Sequence, residues 1–138
     1  MSRQFRSTRV VKNTSAMNYL LKFTAVIEVI AGLALLAVPA AVVRLLLDGQ
    51  ISGAAVPLGR LAGAALLALG VACWLAGYDV KSRTTHGLVA AMLVYNLGAV
   101  FILGAAGIWS QPVGILLWPA VLLHAAMAVW CGVCPTRR

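Results

Sequence analysis

Acidic residues are almost missing from this chain: three Asp or Glu in 138 residues, against eleven Lys or Arg. Charge of either sign is scarce, at 10% of residues, where a soluble domain carries roughly a quarter. Residues 84–136 contain no charged side chain at all. No soluble fold of this size hides so long an uncharged run. A bilayer does, because about 20 mainly apolar residues at ~1.5 Å each suffice for one crossing. The run is long enough for two. Cysteine is also sparse, with only Cys73, Cys131 and Cys134. That number excludes the disulfide framework of a small secreted domain. A closed zinc site takes four ligands, so no metal site and no bound cofactor are expected, beyond a lipid or quinone.

What is present is apolar: 62% of the chain is hydrophobic. The basic residues stand at the ends of apolar runs rather than in one patch. That pattern orients membrane helices and argues against a nucleic-acid partner. Residues 1–16 form a basic tail with Arg3, Arg6, Arg9 and Lys12 and no acid. Such a tail is drawn to anionic headgroups by about 1 kcal/mol per basic residue. Asn13, Thr14 and Ser15 then offer N-cap oxygens for a helix.

The expected fold is all-α: a single membrane domain over residues 17–135, built as a four-helix bundle. Its spans fall near 17–47, 54–78, 87–107 and 112–134. Pro39 is expected to kink the first span, and Pro57 fits the first turn of the second. Pro112 opens the fourth and Pro135 ends it. Lys22, Lys81, Arg83, Arg137 and Arg138 fall on the same side as the basic tail. Only Arg44 and Arg60 lie toward the other. The positive-inside rule therefore puts both termini in the cytoplasm. Tyr19, Phe23, Trp74, Tyr78 and Trp130 suit an inner aromatic belt, and Trp109 and Trp118 an outer one.

Polar groups inside a membrane are costly, so each is a candidate for function. Glu28 lies roughly 9 Å deeper along its helix than Lys22. It is either a proton or cation site, or a neutral carboxyl hydrogen-bonded between helices. Asn96 and His124 fall at similar depth near the middle of their spans. With Glu28 they form a candidate intramembrane polar site, with Tyr95 nearby. Arg44 and Arg60 read as outer-side anchors whose long stems reach the interface, with Asp48 available as a partner. Gly63, Gly70 and Gly77 recur every seven residues, and Gly59 with Gly63 makes a G-x-x-x-G pair. Small residues at that spacing let helices approach closely in lipid. Cys131-Gly132-Val133-Cys134 is a C-x-x-C candidate thiol pair. Redox enzymes set this spacing at a helix N-terminus, whereas here it closes a helix.

The stretch from Ala25 through Glu28 to Gly32, with Tyr19-Leu20 before it, resembles the first helix of the small multidrug resistance transporters. That resemblance implies a glutamate that binds protons and cationic drugs in turn, within a homodimer. The family's tryptophan-and-glycine segment in helix three is absent here. The four-span plan, the early glutamate and Leu35-Leu36-Ala37-Val38-Pro39 also resemble the DoxX-like group of small bacterial membrane proteins. This likeness implies a multi-pass protein of the inner membrane. Three functions follow as expectations. The foremost is a non-catalytic subunit or accessory protein that packs against itself or a membrane partner. The others are a proton-coupled transporter using Glu28, and a thiol or quinone redox protein using Cys131 and Cys134. No catalytic residue is assigned.

Overall fold

The computed structural model describes residues 2–110 and 112–133, with side chains described from Ser15 onward. They form five α-helices and no strand: α1 (Ser2–Ala37), α2 (Pro39–Leu47), α3 (Ala55–Ala76), α4 (Arg83–Trp109) and α5 (Leu117–Val133). The apolar part of α1 (Ser15–Ala37), α3 and α4 are each long and apolar enough to cross a membrane. Among the described residues α5 is shorter, at 17 residues.

Several boundaries differ from the sequence expectation, each for a local reason. Helix α1 begins at Ser2 rather than after a cap at Asn13–Ser15. No proline or glycine interrupts residues 2–31, so nothing stops helix propagation there. Pro39 does more than kink the first span. Val38 leaves helical geometry at φ −136° and ψ 59°, and Pro39 restarts a separate helix in its first turn. Helix α2 stops at Asp48, which takes the left-handed conformation at φ 50° while its N–H bonds the Arg44 carbonyl. Asp is among the few residues that tolerate that conformation.

Helix α4 starts at Arg83, ahead of the expected Gly87, because Ser82 caps it. The Ser82 Oγ accepts from the Thr85 N–H at 3.0 Å. Thr85 in turn donates its hydroxyl to the Asp79 carbonyl at 2.7 Å, fastening the α3–α4 turn. Helix α5 begins at Leu117 rather than at Pro112. The segment before it is otherwise engaged: Gly114 and Leu116 donate their N–H groups to the carbonyls of Leu46 and Leu45. That segment is held against the end of α2 instead of forming a first helical turn.

Packing pairs α1 with α3 and α4 with α5. The α1–α3 seam is antiparallel and made of small residues. A Cβ on Gly63 would sit 2.7 Å from the Gly32 carbonyl oxygen, and one on Gly32 would sit 2.8 Å from the Gly63 oxygen. Seven residues along, Gly70 faces Ala25 and Val29; seven further, Gly77 faces Asn18. The glycine repeat of α3 therefore meets a matching repeat of Asn18, Ala25 and Gly32 on α1. With no side chains between them the backbones touch, and van der Waals contact holds the pair where lipid gives no hydrophobic drive.

The two hairpins join at one end, where the apolar part of α1 begins, α3 ends, α4 begins and the last described turn of α5 lies. Met17, Leu20, Leu21, Ala25, Cys73, Val89, Met92, Met127 and Cys131 form the shared core there. Phe23 and Trp130 add a ring contact between α1 and α5, with centroids 6.1 Å apart. Elsewhere the surface is apolar. Val94, Phe101, Ile102 and Trp109 on α4 are all more than two-thirds exposed, which suits a lipid-facing wall.

Candidate functional site: a polar cluster between the hairpins

Glu28 is 4% exposed, and Thr24, one turn before it, is 3% exposed. Both point from α1 into the bundle. Among the described residues the Glu28 carboxyl makes no hydrogen bond and no ion pair. It stands within electrostatic reach of the Cys73 thiol on α3 and the Tyr95 hydroxyl on α4. Glu28 lies thirteen residues into the apolar part of α1, and Asn96 thirteen residues into α4. At ~1.5 Å per residue both are about 20 Å from the end where the hairpins join.

Asn96 is 2% exposed and fully engaged. Its Nδ2 donates to the Met92 carbonyl at 2.7 Å. Its Oδ1 accepts from His124 Nδ1–H at 2.8 Å. This bond ties α4 to α5 and fixes the tautomer of a neutral His124, leaving Nε2 as the acceptor. The Tyr95 ring meets the His124 ring edge-on, with centroids 5.6 Å apart. The structure thus gathers Tyr95, Asn96 and His124 into one group between α4 and α5, with the buried Glu28 of α1 within electrostatic reach of Tyr95. Sequence reasoning singled out all four. It did not anticipate Thr24, whose one-turn spacing from Glu28 was the available signal.

The other candidates fall elsewhere. Arg44 and Arg60 are both exposed, on α2 and in the first turns of α3, away from the cluster. Gly59 packs toward Pro39, and Gly63, Gly70 and Gly77 line the α1–α3 seam. Cys131 is buried, and its C-x-x-C partner Cys134 lies outside the described residues, as do Arg137 and Arg138. The buried cysteine within electrostatic reach of Cys73 is Cys131, from the opposite hairpin. An open apolar groove of ≈ 340 Å³ follows the outer side of the α1–α3 seam, beside Val26, Ile30, Val71 and Trp74. No polar side chain lines it, so it is separate from the cluster.

Chemically, the cluster offers one acid and an ordered hydrogen-bonded pair. An acidic side chain at mid-helix costs about 2.5–3.5 kcal/mol when charged in a bilayer. A carboxyl without a protein partner meets that cost in one of two ways, by holding a proton or by holding a cation. No family model matches this chain, and neither does any curated protein or solved structure.

Proposed function

We propose that the chain is a four-span membrane protein with both termini in the cytoplasm. We propose further that it carries small cationic molecules across the bacterial inner membrane in exchange for protons at Glu28. Helix α5, with the residues that flank it, makes the fourth crossing. The observation that supports this reading most is the position of Glu28, an acidic residue only 4% exposed in the middle of an apolar helix long enough to cross a membrane. A structural glutamate would be bonded across a helix interface, as Asn96 and His124 are. A carboxyl left without such a bond is available to a proton and a cation in turn. Its resemblance to the first helix of the small multidrug resistance transporters points the same way. Tyr95, whose ring meets His124 and which lies within electrostatic reach of Glu28, supplies an aromatic face for an organic cation.

The test is uptake of a lipophilic cation into proteoliposomes under an imposed proton gradient. Uptake by the unsubstituted chain and none by Glu28→Gln, with both inserted equally, is the expected result. Equal uptake by the two would remove the reading.

A second reading has its own support. Gly87, Gly98 and Gly104 of α4 face open space, where an added Cβ would meet nothing within 4 Å. Such a face accepts a close-packed helix from a second copy or another membrane protein. A non-catalytic subunit should then co-purify in mild detergent with a fixed stoichiometry. A monodisperse monomer would count against it.

A further inference from the structure

Helices α1 and α3 approach so closely that their outer edges enclose the apolar groove of ≈ 340 Å³. Ala25 and Gly70 form its floor, because neither carries a side chain long enough to fill it. Val26 and Ile30 stand on one side, Val71 and Trp74 on the other, each between 47% and 61% exposed. The volume falls in the range of small-molecule sites, about 300–1,000 Å³. Such sites fix a polar ligand with a few placed polar groups, and this groove has none along its length. A hydrocarbon chain needs none, since van der Waals contact holds it.

A charged residue at one end distinguishes the groove from a bare lipid-facing wall. Around α1 from Ala25, Lys22 falls at about 60°, between Val29 at about 40° and Val26 at about 100°. It therefore stands on the groove face, one turn from Val26, and it is exposed. Glu28 falls about 120° away from Lys22, on the side that enters the bundle. The seam register locates this end on α3. Gly77 meets Asn18 and Gly70 meets Ala25, so Lys22 is level with the last turn of α3, which holds Trp74. Tyr78 follows one turn after Trp74 on the same face and is 77% exposed. The groove thus ends in an ammonium group flanked by an indole and a phenol, where the chain leaves α3. Trp and Tyr favour headgroup level in a bilayer. The turn beyond adds exposed Lys81 and Arg83 against one exposed acid, Asp79.

We propose that the α1–α3 groove binds one anionic phospholipid, with an acyl chain between Val26 and Trp74 and the phosphate paired with Lys22. The lysine ammonium is a compact charge with three donors, suited to phosphate oxygens. A net negative headgroup and a hydrocarbon chain are both required. Free phosphate leaves the groove empty, and a zwitterionic headgroup brings a competing cation to Lys22. The site is independent of proton exchange at Glu28, and the two stand or fall separately.

The full chain, with Trp74 as its sole tryptophan and the others replaced by Phe, is reconstituted in phosphatidylcholine vesicles. Quenching of Trp74 by phosphatidylglycerol with brominated acyl chains is compared with quenching by equally brominated phosphatidylcholine. One basic residue near the surface attracts an anionic headgroup by about 1 kcal/mol, or about fivefold in affinity. Phosphatidylglycerol should therefore quench Trp74 about fivefold more effectively. Lys22→Gln should bring the two lipids to near equality, while Lys22→Arg should keep the preference. A chain with Trp109 alone, 79% exposed at the far end of α4, should show no preference. Equal quenching of Trp74 by the two lipids would overturn the proposal. So would a preference that survives Lys22→Gln or is shared by Trp109, since either means general attraction to a basic chain. Quenching by neither lipid would show the groove covered by protein and would overturn it equally. Because losing three tryptophans can loosen the bundle, native mass spectrometry of the unsubstituted chain, extracted from an equal mixture of the two lipids, gives a second readout. One retained phosphatidylglycerol is expected, lost in Lys22→Gln, and equal retention of both lipids would contradict the site.

Discussion

At Gly63 a single methyl group tests the α1–α3 seam. Its Cβ would meet backbone atoms of Gly32 and Leu36 at 2.7 and 2.8 Å, and backbone cannot swing aside as a side chain does. Gly63→Ala should therefore destabilise the bundle by about 1–3 kcal/mol, as overpacking does. The matched control is Gly98→Ala, where an added Cβ meets nothing within 4 Å. There the helix preference of alanine over glycine should dominate, giving a change between zero and about 1 kcal/mol of stabilisation. Reversible unfolding of both variants in mixed micelles measures the contrast. Equal effects at the two positions would mean that α1 and α3 are not in backbone contact. The glycine repeat on α3 was legible in the sequence, because three glycines seven apart have few other uses in a helix. Its partner was not. Asn18, Ala25 and Gly32 share the spacing but not the residue type, and only the antiparallel register reveals them as one row.

Among the elements, the end of the bundle where α2 meets the segment before α5 departs most from its sequence pattern. The apolar runs continue through Val38 and through residues 112–116, so hydropathy reads each as part of a long span. Backbone hydrogen bonding divides them instead. Pro39 offers no N–H and restarts the helix, while Gly114 and Leu116 donate to Leu46 and Leu45 across the gap between α2 and the start of α5. Gly114 packs so tightly on Leu45 that no side chain fits there. Gly114→Ala should break this pairing and leave α1, α3 and α4 intact. Amide exchange at Leu116 should rise sharply in the variant while exchange along α4 stays unchanged. Unaltered protection at Leu116 would show that the segment is held by other means. The Ser82 cap was not legible: Thr84, Thr85, His86 and Gly87 after it are weak helix formers, so the stretch reads as a polar loop and the apolar run from Gly87 concealed how early α4 begins.

For the whole molecule, Asn96 and His124 stood out because amide and imidazole are so rare in the apolar runs, and depth counted from the helix ends put them at one level, where they bond. Topology is the first consequence to check. A periplasm-dependent reporter inserted between Ser110 and Pro112 should be active, and the same reporter after residue 138 should be silent. Activity at the C-terminus would reverse the orientation and with it the proposed route of the cation.

The central claim is that Glu28 gives up a proton when a cation binds. Its most direct measurement uses purified protein in weakly buffered detergent, to which a lipophilic monovalent cation such as tetraphenylphosphonium is added. The account predicts a proton released for each cation bound, and neither binding nor release in Glu28→Gln. Cation binding without proton release, or release that persists in Glu28→Gln, would contradict it.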